Sequence, residues 1–120
     1  MGMLLSCRRD ALPGAAAAFL IVTFELIVTA VSEAGERIFG KEEELVGGGL
    51  LEVVTSPLGD DQLARHTSLA AQRPTDPVVM PLRLTSSRAR RVGTLAARIA
   101  TCGPPRAALV TVEPSEFGRR

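Results

Sequence analysis

The sequence predicts a mainly α chain with short strands, a weak α+β protein led by one N-terminal hydrophobic helix and followed by a poorly packed or partly disordered remainder. Three observations predict it. Residues 15–31, AAAAFLIVTFELIVTAV, make a run of seventeen residues broken by one charge, Glu25. Two later stretches, 60–72 and 86–102, carry apolar residues at helical spacing. Three consecutive glycines, Gly47, Gly48 and Gly49, separate the first region from the rest.

A chain of 120 residues is one domain at most, and spending about thirty residues on a membrane segment leaves a marginal core. Thirteen arginines stand against one lysine, and Asn, Tyr and Trp are absent. Arginine codons are GC-rich and those of Lys, Asn and Tyr are AT-rich, so this skew reflects coding DNA at least as much as protein chemistry. It is also the skew of a reading frame translated without selection for a fold. The net charge of +1 is unevenly spread, with eight acids and two bases over 33–61 and ten bases and three acids over 62–120. Two cysteines, Cys7 and Cys102, form no disulfide framework, and with no Asn there is no N-glycosylation acceptor.

Residues 1–14 read as a polar or anchor segment. MGMLLS fits the N-myristoylation pattern through Gly2 and Ser6, and Cys7 with Arg8 and Arg9 offers the second signal that a single acyl chain needs. Gly2 and Cys7 are therefore the candidate lipidation sites.

Residues 15–32 read as a transmembrane or signal segment. The 22 residues from Ala11 to Ser32 span about 33 Å as a helix, against a hydrocarbon core of roughly 30 Å. Ten Leu, Ile, Val and Phe residues favour insertion by about 3 to 6 kcal/mol, and the central acid opposes it by about 2.5 to 3.5. The segment sits near the insertion threshold, with Glu25 as a candidate intramembrane polar site. Two other readings stay open. Val28-Thr29-Ala30 or Ser32-Glu33-Ala34 supplies small residues at signal-cleavage spacing. Two copies of Leu-Ile-Val-Thr, beginning at Leu20 and Leu26, are rich in β-branched residues that suit a buried strand.

Residues 33–49 read as an acidic linker helix ended by the glycine triplet. Within it GERIFGKE at 35–42 matches G-x-x-x-x-G-K, but Glu42 stands where a phosphate-binding loop needs a hydroxyl and opens a run of three carboxylates, so the match is a decoy.

Residues 50–113 read as a small α+β region. LLEVVT at 50–55 predicts a strand, and Ser56-Pro57-Leu58-Gly59 a turn. Asp60 caps a helix to about Gln72 with Leu63, Ala64, Leu69 and Ala70 inward. Residues 78–85 read as a strand that Pro81 restricts to an edge or an extended coil. Ser86 or Ser87 caps a second helix, with Val92, Leu95, Ala96 and Ile99 on one face and Gly103-Pro104-Pro105 as its stop. Residues 107–113 give a last short strand, and 114–120 a disordered tail.

No nucleophile, base and orienting group occur at interpretable spacing, so a non-enzymatic protein is expected, without catalytic residues, cofactor, metal site or small-molecule substrate. His66, the single histidine, reads as a surface residue. The expected protein is a small single-pass membrane or membrane-anchored chain with an interaction tail and an unknown protein partner. The alternative is a small soluble or exported protein, cytoplasmic or secreted after signal cleavage. It binds an anionic partner, nucleic acid or anionic lipid, through a basic helix from Arg88 to Arg98. Arg83, Arg88, Arg90 and Arg91 are the candidate anion-binding residues, although the aromatic residues that single-stranded nucleic acid stacks upon are missing around them.

Overall fold

The computed structural model describes residues 17–86 and 92–114. They form six strands and three short helices in the order β1 (Ala18–Val22), β2 (Val28–Val31), α1 (Glu33–Phe39), α2 (Glu42–Leu45), β3 (Val54–Thr55), α3 (Asp60–Gln72), β4 (Val78–Leu84), β5 (Leu95–Cys102) and β6 (Ala107–Pro114), with one 3₁₀ turn at Leu50–Glu52. The strands make one antiparallel sheet in the order β2-β1-β6-β5-β4-β3, so the first and last strands lie side by side at its centre. The expectation of a mainly α chain is thereby overturned: the protein is mainly β.

The N-terminal hydrophobic helix does not exist. Its residues form β1, a tight turn and β2, paired with Leu20 opposite Val31 and Ile21 opposite Ala30. Sequence chemistry explains why. The segment is β-branched, and the Thr23 hydroxyl accepts from the amides of Glu25 and Ile27, both at 3.2 Å, while the Leu26 amide donates to the Thr23 carbonyl at 2.8 Å. A short polar side chain bonding to nearby backbone in this way competes with helix. Leu26 takes a φ of 66° to close the turn. Glu25 then stands exposed at the turn, where its carboxylate meets water. No helix among the described residues is long and apolar enough to cross a membrane. The transmembrane or signal-anchor helix and the single-pass membrane localisation expected from it are corrected accordingly.

The predicted basic helix is corrected in its second half, while 87–91 lie outside the described residues. Its second half is β5, whose residues pair with β4 on one side and β6 on the other. Leu95 and Ile99 are four apart, a spacing that satisfies a helix face and a strand face equally. Ala97, fully buried between them, decides for the strand, while Arg98 points to the opposite, exposed side. LLEVVT is mostly the 3₁₀ turn, with only Val54 and Thr55 extended.

Other elements lie where their chemistry puts them. The acidic linker is two helices, broken where Gly40 adopts a φ of 126°. Helix α3 covers residues 60–72, with Gly59 rather than Asp60 at the N-cap, and it buries Leu63, Thr67, Ala70 and Ala71. Pro81 is accommodated because its carbonyl accepts from the Ser56 hydroxyl at 2.9 Å. The ring nitrogen of an extended residue faces the same way as its carbonyl, so here it faces away from β5 and no ladder bond is lost.

One face of the sheet, the inner face, packs on all three helices. Ala18, Leu20, Val22, Val28, Met80, Leu82, Leu84, Leu95, Ala97, Ile99, Ala108, Val110 and Val112 join Phe39, Leu45, Leu50, Leu63, Ala70 and Ala71 in one apolar cluster. Each fully buried Leu or Ile there contributes roughly 1.5–3 kcal/mol relative to exposure. A second, smaller cluster of Cys102, Ala107 and Leu109, with Phe19 and Ile21 against it, occupies the outer face.

Ser32 holds the start of α1 to β1. Its hydroxyl accepts from the amides of Phe19 and Gly35 and donates to the Ala17 carbonyl, each at 2.9 Å. Helix α1 comes so close to the sheet that a Cβ on Gly35 would lie 2.8 Å from Val31 Cγ2 and 3.0 Å from the Phe19 carbonyl oxygen. Gly35 is thus a packing glycine inside a helix, which agrees with reading GERIFGKE as no phosphate loop.

Candidate functional site

The C-terminal end of α3 builds the site. A helix leaves its last carbonyls without partners in the helix, and here strand residues supply them. The Thr101 hydroxyl lies 2.6 Å from the Ala70 carbonyl and 3.0 Å from that of Arg73, and the Arg106 guanidinium donates to the Gln72 carbonyl at 2.9 Å. The hairpin joining β5 to β6 is clamped in this way under the helix end. Residues 74–77, with prolines at 74 and 77, then carry the chain away before β4 begins at Val78.

The gap left between that loop and β5 is a cavity of about 540 Å³, lined by Pro74, Thr75, Pro77, Ala100, Thr101, Cys102, Gly103, Pro104 and Arg106. This is within the roughly 300–1,000 Å³ of ordinary small-ligand sites. The prolines and Ala100 make most of its wall apolar, and Cys102 beneath them is buried. Among the described residues Arg106 is the one charged residue of the lining, and its side chain is exposed. A guanidinium has five N–H donors in a planar fork, so the bond to Gln72 leaves the others able to meet an anion. Among the described residues the arrangement is an apolar wall with a cationic fork at one end.

A second cavity, about 430 Å³, lies among Glu33, Glu36, Arg37, Lys41 and Glu43 around the joint between α1 and α2. The Glu36 carboxylate accepts from the Glu42 amide at 2.7 Å and so caps the second helix. Asp60, the first residue of α3, instead ties that helix to the residues before it. The Thr55 hydroxyl at 2.7 Å and the Ser56 amide at 3.1 Å hold its carboxyl below the ordinary value.

The residues singled out from sequence are scattered. Gly2 and Cys7 lie outside the described residues, as do Arg88, Arg90 and Arg91. Arg83 is exposed and, by strand alternation, on the outer face of the sheet, as is Arg98. Glu25 is at the turn between β1 and β2 and lines neither cavity. His66 is half-buried on α3. Arg106 and Thr101 were not singled out, because the Gly-Pro-Pro that precedes Arg106 read as the end of a helix. A Gly-Pro cluster between two β-capable runs is equally a hairpin signal, and that reading would have set Thr101 and Arg106 at the two ends of one turn.

No protein-family model and no curated protein matches the sequence. Among the solved structures similar in fold are two PAS domains. The PAS domain of a protein from Colwellia psychrerythraea matches with a TM-score of 0.66 at 12% identity, over 88% of this chain and 89% of that one. The PAS domain of nitrogen regulation protein NR(II) from Vibrio parahaemolyticus matches with a TM-score of 0.62 at 15% identity, over 95% of this chain and 100% of that one. These likenesses replace the expected single-pass membrane architecture with a PAS-like fold: a six-strand antiparallel sheet with three short helices packed on one face.

Proposed function

We propose that this chain is a non-catalytic binding module whose ligand is a small carboxylate with an apolar body, held in the cavity beside Arg106. The observation that carries the reading is the composition of that cavity, an apolar wall of prolines and Ala100 with one guanidinium at its edge. The carboxylate pairs with the free N–H donors of Arg106, a charge-assisted bond stronger than a neutral one. The apolar body displaces water from the proline wall. One neighbour in fold is a domain of a nitrogen regulation protein, and a regulatory role exercised by binding is the reading which that likeness supports. It keeps the anionic partner expected from sequence and moves it to a different arginine.

The test is thermal unfolding with a series of straight-chain and aromatic monocarboxylates. Ligand present at 100 times its Kd stabilises the native state by about 2.7 kcal/mol. The expected result is a concentration-dependent rise in Tm that grows with the apolar body and vanishes in Arg106→Gln. A Tm indifferent to every acid in the series, or a rise that survives Arg106→Gln, overturns the reading.

A further inference from the structure

Two separate stretches of chain wall the cavity beside Arg106. Pro74, Thr75 and Pro77 belong to the loop that leaves α3, and Ala100 to Pro104 with Arg106 belong to the β5–β6 hairpin. The loop is fixed at its far end, where Val78 enters the sheet opposite Ile99. Its near end is the last turn of α3. There Ala70 and Ala71 are buried in the core, whereas Gln72 and Arg73 are exposed and are tied to the hairpin by side-chain bonds. In a continued helix the Ala70 carbonyl would accept from the amide of residue 74, but residue 74 is a proline and has no N–H. The Thr101 hydroxyl takes that acceptor at 2.6 Å. The same hydroxyl lies 3.0 Å from the Arg73 carbonyl, and with one hydrogen to give it shares itself between the two. The Gln72 carbonyl accepts from Nη1 of Arg106 at 2.9 Å. Exposed bonds at a helix end open more readily than the core beneath them.

We propose that occupancy of this cavity controls the last turn of α3, a regulatory coupling that rests on the carboxylate-binding reading above. With Nη1 of Arg106 engaged by Gln72, Nε and Nη2 remain as the side-on pair of the fork for the two oxygens of a carboxylate. Ligand and helix end therefore bind one guanidinium without competing for its protons. The apolar body of the ligand lies against prolines whose distance from β5 is set by the Thr101 bonds. A ligand that needs both walls in place binds the clamped state and not the opened one, so it depletes the opened state by mass action. The persistence of Gln72 and Arg73 in the helix is then the form in which occupancy is reported to the surface.

The experiment is amide hydrogen exchange of the full chain, resolved residue by residue by NMR. Without ligand, Thr101→Val should speed exchange at Gln72 and Arg73 about fivefold, as loss of one hydrogen bond from a local closure does, and Thr101→Ser should keep the parent rates. Gln62 and Leu63, whose amides bond to the Gly59 carbonyl at the other end of α3, are the internal control. Hexanoate and benzoate are the probes. Either acid at ten times its Kd should slow Gln72 and Arg73 about tenfold and leave Gln62 and Leu63 as they were, and the slowing should vanish in Arg106→Gln. These ligand measurements use the parent chain and stand whatever Thr101→Val does to folding. Parent rates at Gln72 and Arg73 in a folded Thr101→Val chain overturn the clamp. An acid that raises Tm yet leaves those two amides untouched, or slows both ends of α3 alike, overturns the coupling and leaves the binding reading in place. Neither acid raising Tm removes the binding reading, and the coupling falls with it.

Discussion

Thr67 is fully buried on α3, facing the sheet, and its hydroxyl has no hydrogen-bond partner among the described residues. Leaving a hydroxyl unpaired in an apolar interior costs about 1–3 kcal/mol. Thr67→Val exchanges that hydroxyl for a methyl on the same branched frame, and the two residues have similar helix propensities, so the cost is removed with little offset. The variant is expected to be more stable by about 1–3 kcal/mol, a Tm rise of roughly 4–12 °C at about 4 °C per kcal/mol for a domain of this size. Thermal and urea unfolding followed by circular dichroism measure both quantities, and an unchanged urea m-value shows that the native state itself has gained stability. Thr67→Ser, which keeps the hydroxyl and drops the methyl, is expected to lose about 1 kcal/mol. A Thr67→Val chain that is no more stable than the parent refutes the reasoning, since it would mean that the hydroxyl is satisfied in solution, for instance by an enclosed water.

Two further substitutions test the joints of the fold. Ser32→Ala removes three hydrogen bonds at once, those to Phe19, Gly35 and Ala17, and should cost about 2 kcal/mol in urea unfolding. Asp60 has its carboxyl held below the ordinary value by the Thr55 hydroxyl and the Ser56 amide. Its contribution to stability is therefore present above the unfolded value near 3.9 and is lost as the pH falls through the lower folded value. Asp60→Asn should flatten that part of the stability profile below about pH 4, and a variant profile parallel to the parent's there would contradict the assignment.

Half of this architecture was legible from residues alone, and the other half was hidden for physical reasons. The helix at 60–72 and the strands at 78–85 and 107–113 follow local signals, a turn cluster before the first and period-two apolar residues in the others. The N-terminal run misled because length and hydrophobicity alone describe a membrane helix and a hairpin buried in a sheet equally well. What separates them is Thr23, whose hydroxyl binds two amides across the turn, and a side chain with that geometry is recognisable only after the turn is known. Residues 95–102 misled because Leu95 and Ile99 serve both periods, and only the two flanking strands, β4 and β6, decide between them. The cavity was invisible for a related reason: Thr101 and Arg106 matter through the carbonyls of Ala70, Gln72 and Arg73, about thirty residues earlier in the chain, and such pairings leave no trace in spacing.

The pairing of β1 with β6 sets an order of events in the making of the protein. Leu20 lies opposite Val110, and Ile21 opposite Leu109, so the middle of the sheet is closed by residues that are synthesised ninety positions apart. Contacts this distant in sequence slow folding, because the chain between them must be ordered before they repay the cost. On the ribosome, β1 waits beside β2 with its other edge unmatched until β6 emerges. During that interval the most apolar run of the whole chain is a half-satisfied hairpin, open to chaperones or to the strand edges of other molecules. A chain shortened before Ala107 would never leave that state, and its fate should be aggregation or proteolysis.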